Sequence, residues 1–299
     1  MRVCYSDDYY VPLPEGHPFP MGKFPGLHHI LRAEGLITEG QVVTPDEAAW
    51  DDLLLVHTPD YLQRLAQGTL ERKEEKRIGV PWSPGLAHRS RVAVQGTIQA
   101  AHMALEDGIA ANLAGGTHHA FPDHGEGFCV LNDVAVAIRA LQREKAVRRV
   151  LVVDLDVHQG NGTAAIFAGD ANVYTFSMHG EKNYPWRKPP STCDVGLPDG
   201  LDDAGYMDAL IEHLPRVIHQ ARPELIFYLA GVDPVRGDRF GRLAMTRQGI
   251  HQRDRFVLET AWHSGLPIVL VMAGGYASSP HATADLHAIV HREARAVYG

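Results

Sequence analysis

The stretch VLVVDLDVHQGNG (residues 150–162) decides how this chain folds, because a wholly apolar pattern within it gives way to alternating polar residues. Its first residues are aliphatic on both faces, which is typical of a parallel strand buried between two layers of helices. Asp154, Asp156 and His158 then alternate with apolar residues and are predicted to project from one face of the strand end. Such a cluster indicates either a cation between the side chains or charges that water solvates.

Other apolar runs repeat this strand pattern, and amphipathic segments with helical spacing separate them. The alternation predicts one α/β domain over residues 1–299, with a central, mostly parallel sheet and helices on both faces. The predicted strands lie in RVCYS (2–6), IAANLAGG (109–116), NVYTFSM (172–178), ELIFYLAGVD (224–233) and PIVLVMAGG (267–275). The predicted helices lie in 88–108, 133–144 and 252–263.

Two segments rich in Pro and Gly, residues 9–26 and 181–200, are longer than simple connections between such elements. Loops of this length are commonly functional. We therefore expect both to lie near a binding site.

Composition excludes several classes of function. The 299 residues carry a formal charge of −8, which argues against a broad grip on nucleic acid or on anionic membranes. No apolar run has the length of a signal peptide or of a membrane span. Cys4, Cys129 and Cys193 are too far apart for a Cys-x-x-Cys zinc site, and their odd number does not support a disulfide framework. We expect a cytoplasmic protein.

A third carboxylate, Asp233, ends the predicted strand 224–233. Because the carboxyl ends of parallel strands line one crevice, Asp233 is expected to meet Asp156 and His158. Two carboxylates and one imidazole with an open fourth position describe a catalytic metal site, for which zinc is the natural candidate. Such an ion polarises a carbonyl group and lowers the pKa of bound water.

The stretch HHAFPDHGEGFCVLND (118–133) places two histidines after another predicted strand, at the same crevice. An isolated His pair is more often structural than catalytic, but beside a metal one imidazole can accept a proton while its neighbour holds charge. Tyr276 follows two glycines at the end of a further strand. Alone it would be interpreted as an aromatic residue at the rim; with the metal set beside it, it can donate a hydrogen bond to an oxyanion.

Four motifs, in this order and at these separations, resemble the histone deacetylase family, most closely its class IV branch and bacterial relatives. They are GGTHHAFPDHGEGFCVLNDVAVA (115–137), VDLDVHQGNGT (153–163), AGVDPVRGDRFG (230–241) and MAGGY (272–276). The resemblance extends from HTPDYL (57–62) to MAGGY and implies the arginase/deacetylase fold.

The resemblance also implies a role for individual residues. The family's zinc ligands fall on Asp156, His158 and Asp233, its paired catalytic histidines on His118 and His119, with His119 as general base, and its carbonyl-polarising tyrosine on Tyr276. Asp154 matches the carboxylate that orients His118, and a structural potassium site matches Asp154, Asp156, His158, Ser177 and Met178. The acyl tunnel matches Gly127 and Phe128, with Tyr184 and Phe240 as further substrate-binding positions.

Three positions depart from the family pattern. Asn161 stands where many class I members have Asp, and a neutral amide raises the pKa of a partner imidazole less than a carboxylate would. Gln159 replaces a frequent His. Phe240 replaces a frequent Leu or Met and is expected to narrow or reshape the tunnel mouth.

The sequence therefore favours a zinc-dependent amidohydrolase that removes acetyl or longer acyl groups from lysine side chains or small acylated amines. Two alternatives stay open: a binuclear manganese hydrolase of the arginase type, and a protein that binds or senses acylated ligands without turnover. Acyl length, physiological substrate, oligomeric state and the choice between zinc and iron are not fixed by the sequence.

Overall fold

The computed structural model describes residues 1–299, and a single eight-stranded sheet runs through the chain. Its strand order is β2-β1-β3-β8-β7-β4-β5-β6, and every neighbouring pair is parallel. The α/β prediction is thus confirmed, with a sheet that is parallel throughout. The strands are β1 (Arg2–Cys4), β2 (Val42–Val43), β3 (Ile109–Asn112), β4 (Val150–Asp154), β5 (Val173–Gly180), β6 (Cys193–Leu197), β7 (Leu225–Leu229) and β8 (Ile268–Val271).

Ten helices cover the two faces of the sheet. Helices α1, α8, α9 and α10 contribute to one apolar layer, and α3 and α6 to the other, while the long α5 reaches both. The helices are α1 (Lys23–Ala33), α2 (Trp50–Leu53), α3 (Pro59–Gln67), α4 (Arg72–Ile78), α5 (Pro84–Asp107), α6 (Asp133–Arg143), α7 (Asn161–Ile166), α8 (Asp203–Ala221), α9 (Arg247–His263) and α10 (Pro280–Tyr298). Short 3₁₀ turns occupy Asp7–Tyr9 and Glu39–Gln41.

Strand β4 explains why the sequence is apolar on both faces. Leu151 and Val153 pack into one layer, whereas Val150 and Val152 pack into the other. Successive side chains of a strand point to opposite faces, so a strand between two helical layers must be apolar at every position.

The predicted helix 88–108 illustrates how local signals set element bounds. Ser83 caps α5 by accepting a hydrogen bond from the backbone N–H of Leu86 (3.0 Å), and Pro84 occupies its first turn. Gly108 ends the helix with a φ of +83°. The predicted end is confirmed, and the helix begins four residues earlier than the quoted segment.

Three expectations about local structure were wrong in detail. The segment 181–200 is not all loop, because it contains the edge strand β6. Asp154 is the last residue of β4, so Asp156 and His158 do not alternate along the strand but lie in the turn beyond it. Likewise Asp233 lies four residues past the end of β7. Both β4 and β7 thus end before these side chains, which lie in the connections that follow the two strands. No helix is long and apolar enough to cross a membrane.

Candidate metal centre and active site

The candidate site is built at the carboxyl ends of four strands that are neighbours in the sheet, in the order β3-β8-β7-β4. The connection after each strand supplies part of it, in agreement with the rule that ligands bind beyond the carboxyl ends of parallel strands. His118 and His119 follow β3, Tyr276 follows β8, Asp233 follows β7, and Asp156 and His158 follow β4.

Asp156, His158 and Asp233 form a compact cluster whose ligand atoms all lie within 4.8 Å of one another. His158 Nδ1 is 3.0 Å from Asp156 Oδ1 and 3.1 Å from Asp233 Oδ2. Both carboxylates are fully buried. It is the only group of three His, Cys, Asp or Glu side chains in the chain that converges in this way.

Backbone N–H groups hold both carboxylates in place. Asp156 accepts hydrogen bonds from the backbone of His158 (2.9 Å) and of Gly274 (2.6 Å), and Asp233 accepts one from Val157 (2.9 Å). A Cβ at Gly274 would lie 2.2 Å from Asp233 Oδ2 and 2.5 Å from Asp156 Oδ2. Only glycine therefore fits against this pair of carboxylates.

The electrostatics of the cluster call for a cation. Burial acts to lower the pKa of His158, but the two carboxylates outweigh it and raise that pKa to about 10. Burial and the charge of Asp156 raise the pKa of Asp233. An imidazolium proton thus balances the two carboxylates, and a divalent ion held by the same three side chains would take over that charge. The buried O, N, O donor set fits zinc.

His118 and His119 stack with their ring centroids 4.1 Å apart, yet their surroundings give them opposite protonation. His118 Nδ1 donates to Asp154 Oδ2 at 2.7 Å. Burial opposes the charged form of His118, but Asp154 and Asp156 raise its pKa to about 9. Burial, followed by the charges of His118 and His158, holds the pKa of His119 well below its usual value. The two carboxylates thus favour the cationic form of His118, whereas burial favours the neutral form of His119.

Tyr276 lies beside the cluster with its hydroxyl protonated. Burial and the charges of Asp156 and Asp233 raise the pKa of this phenol well above its usual value. Its backbone N–H donates to Asp238 Oδ2 at 2.6 Å. Asp238 was not among the predicted site residues; its place after a glycine in GDRFG signals a turn, but nothing in the sequence indicates that it holds Tyr276.

A cavity of about 380 Å³ leads from the surface to this site. Its lining includes His119, His158 and Tyr276 together with the four predicted substrate-binding positions. The ring centroid of Tyr276 is 5.7 Å from that of Phe128 and 4.9 Å from that of Phe240. These four positions are Gly127, Phe128, Tyr184 and Phe240, and the ring of Tyr184 lies 5.1 Å from that of His119.

Comparison with known proteins identifies the chain's relatives. The model of the histone deacetylase domain matches residues 17–291. The chain belongs to the histone deacetylase family. Histone deacetylase 2 of Arabidopsis thaliana is 32% identical over 291 residues, covering 93% of this chain and 75% of that protein. A probable deacetylase of Archaeoglobus fulgidus is 31% identical over 264 residues, covering 82% and 72%.

An uncharacterized protein of Picosynechococcus sp. is 51% identical over 298 residues, covering 99% of each chain. This match spans both terminal segments that lie outside the histone deacetylase domain model. The family resemblance of the four sequence motifs is thereby confirmed, together with the fold that it implied.

Glu126 is a second residue of the site, besides Asp238, that sequence reasoning missed. Asn161 Oδ1 accepts a hydrogen bond from His119 Nδ1 (2.6 Å), and its Nδ2 donates to Glu126 Oε1 (2.8 Å). Tyr184 Oη also donates to Glu126 Oε1. Because a carboxylate can only accept, Glu126 fixes which end of the Asn161 amide faces His119. Glu126 and Asn161 are 35 residues apart in sequence, and nothing in the sequence indicates that they form a pair.

The positions matched to the family's potassium site lie at the end of β4, in the turn that follows it, and on the neighbouring β5. Ser177 is the register partner of Asp154, and both side chains are buried. Ser177 Oγ is 3.0 Å from His179 Nδ1. Met178 is the next residue along β5 and is also buried.

Proposed function

We propose that this protein is a zinc-dependent amidohydrolase that removes acetyl or longer acyl groups from lysine side chains or from small acylated amines. Membership of the histone deacetylase family supports deacetylase activity. The observation that carries the zinc dependence is the convergence of Asp156, His158 and Asp233 at a cavity that His119 and Tyr276 also line.

Zinc held by Asp156, His158 and Asp233 would polarise the substrate carbonyl and lower the pKa of a water molecule. The rest of the chemistry belongs to side chains of this chain. His119 Nδ1–H donates a hydrogen bond to Asn161 Oδ1, so the proton of the neutral ring stays on Nδ1. Nε2 therefore carries a free lone pair and accepts the proton of the attacking water. The same nitrogen then protonates the leaving amine.

Tyr276 stabilises the oxygen that becomes negative during the reaction. Burial keeps its hydroxyl protonated, so it can donate a hydrogen bond to the developing oxyanion. Asp154 orients His118 on the same side of the cavity through the hydrogen bond from His118 Nδ1 (2.7 Å).

The aromatic walls accommodate the acyl amine. Phe128 and Phe240 form a tilted aromatic pair with ring centroids 6.1 Å apart, and both rings line the cavity, where an extended alkyl chain can pack against them. We further propose that Asp154, Ser177 and Met178, with backbone oxygens of Asp156 and His158, hold a structural potassium ion.

Metal analysis combined with an acyl-lysine assay tests the proposal. About one zinc per chain, with turnover of an acetyl-lysine peptide that chelation abolishes and zinc restores, is the expected result. Two manganese ions per chain would support the arginase-type alternative. Binding of the acylated peptide without any product after hours would support the binding-protein alternative.

A further inference from the structure

The mouth of the cavity carries a charge opposite to that of the whole protein. The chain has a formal charge of −8, yet the cavity lining contains Arg77, Lys182 and Arg242 and no Asp or Glu. All three cations are exposed. An anionic protein that concentrates cations around one opening creates a local field that attracts negative groups there.

These cations are carried on backbone segments that are fixed to the cavity walls. The backbone carbonyl of Arg77 accepts a hydrogen bond from the N–H of Gly127 (3.1 Å), which places the end of α4 against the tunnel wall. Next to Lys182, the Asn183 side chain donates to the carbonyl oxygen of Phe240 (2.7 Å). The positive groups are therefore held at the mouth although their side chains are free to move.

Two of the three cations have no acidic partner. Arg242 forms an ion pair with Asp199 at 3.2 Å, whereas neither Arg77 nor Lys182 lies within 4.0 Å of a carboxylate. Glu126, the acidic side chain below the mouth, is already engaged by Tyr184 and by Asn161. The charges of Arg77 and Lys182 are thus available to a ligand.

An apolar surface accompanies these cations. Trp186, in the same loop as Lys182, lines the cavity and is 81% exposed. A free indole face beside unpaired cations suits an extended chain with both apolar and acidic parts better than a small ion.

We infer that the mouth binds carboxylate groups on either side of the acylated lysine, so that acidic peptide segments are the preferred substrates. The inference rests on the proposed function and names its substrate class. Acylated polyamines, which are cationic, are repelled from the same opening.

Three peptides with a central acetyl-lysine test this inference. They differ only in the two residues on each side of the acetyl-lysine, which are all Asp, all Ser or all Lys. Affinity is measured by fluorescence anisotropy and turnover as kcat/KM, both with zinc-loaded protein. At low salt, both the affinity and kcat/KM of the Asp peptide are expected to be about tenfold higher than those of the Lys peptide. The expected difference is no larger because each exposed ion pair adds little to the free energy of binding. The difference should shrink in about 1 M salt, where screening acts within a few ångströms. A monoacetylated polyamine is expected to rank with the Lys peptide.

A charge-reversed variant supplies the decisive comparison. Arg77→Glu combined with Lys182→Glu should reverse the order of the Asp and Lys peptides. Arg295→Glu, which reverses a single charge near the amino end of β3 and away from the mouth, should leave the order unchanged. Equal affinities for the three peptides, or an order that the double variant does not alter, would overturn the inference. If the Ser peptide is bound but no peptide is hydrolysed, the proposed function fails, while the order of affinities still decides this inference.

Discussion

At the scale of single residues, the site shows how one side chain type acquires two roles. His118 and His119 are adjacent in sequence and in contact, but Asp154 faces the first and an uncharged amide faces the second. A carboxylate partner favours the imidazolium, whereas burial beside a cation favours the neutral ring. The neutral ring is the one that can accept a proton.

Replacing His119 or Tyr276, the two side chains proposed to act on the reacting atoms, should greatly lower kcat without loss of the metal. His119→Ala is expected to lower kcat about 10²- to 10⁴-fold, and Tyr276→Phe about 10²- to 10³-fold. Zinc content measured on each purified variant should stay near one per chain, since neither side chain belongs to the metal cluster. His102→Ala, on the outer part of α5, is the control. Unchanged turnover in either variant would refute the role assigned to that residue.

Glu126 offers a prediction that depends on hydrogen-bond direction. Glu126→Leu leaves the Asn161 amide and the Tyr184 hydroxyl without their acceptor, so Asn161 no longer fixes the Nδ1–H tautomer of His119. We expect kcat to fall about tenfold or more. Glu126→Gln retains an acceptor oxygen and should lose less. Nitrogen-15 NMR of the His119 ring checks the tautomer directly, and identical behaviour of the two variants would contradict this role.

At the scale of elements, the turn after each strand decides the site. Because β4 and β7 are neighbours, the turns that follow them bring Asp156 and Asp233 together, and the turn after β8 passes close to both. The close approach needs a residue without a side chain at Gly274.

Gly274→Ala should therefore weaken metal binding and leave the fold intact. The added methyl group would collide with Asp156 and Asp233 and displace their carboxylates. Loss of a group that supports metal ligands typically lowers metal affinity 10- to 100-fold, and we expect a loss of this size. Titration with zinc against a competing chelator measures the change. Gly40→Ala adds the same methyl group where no atom lies within 4 Å and is the matched control. Equal zinc affinity in both variants would contradict the prediction.

His57 links helices through a neutral imidazole. Its Nδ1 lies 3.0 Å from the carbonyl oxygen of Phe121, and its Nε2 accepts a hydrogen bond from the backbone N–H of Asn132 at the start of α6 (3.0 Å). Burial lowers its pKa to about 4. Below about pH 6.5 the imidazole of His57 binds a proton in the unfolded chain, whereas in the folded protein it stays neutral until about pH 4. Stability is therefore complete above pH 6.5 and is lost as the pH falls through 4.

A variant that cannot titrate at this position tests the linkage. Between pH 6.5 and 4 the free energy of unfolding of the wild type should fall by about 3 kcal/mol more than that of His57→Gln. Urea denaturation at a series of pH values measures both slopes, and the difference between them removes the contribution of other histidines. Parallel curves would refute the assignment.

At the scale of the whole molecule, the proposed zinc site concentrates buried charge at the carboxyl edge of the sheet. If zinc binds the folded chain and not the unfolded one, as we propose, zinc at a hundred times its dissociation constant should stabilise the protein by about 2.7 kcal/mol. Asp233→Asn should lose this increment without destabilising the metal-free form, because it removes one of two buried carboxylates that face each other. Thermal unfolding with and without zinc checks both, and a stabilisation by zinc that persists in Asp233→Asn would contradict the site.

The sequence by itself determined the layered α/β architecture, since strands that are apolar on both faces require helices on both sides, as in Val150–Asp154. It also predicted which polar residues gather at one edge of the sheet, because the carboxyl ends of parallel strands share that edge. These properties follow from local patterns along the chain.

Only the tertiary structure decided the rest. The order of the strands made β4 and β7 neighbours, and β6 formed within a segment that was expected to be a loop. Contacts between distant segments brought Glu126 and Asp238 to the site. The cationic mouth likewise combines Arg77, Lys182 and Arg242 from three separate parts of the chain. Contacts of this kind depend on how elements pack in space, and packing between residues far apart in sequence leaves no periodic pattern to detect.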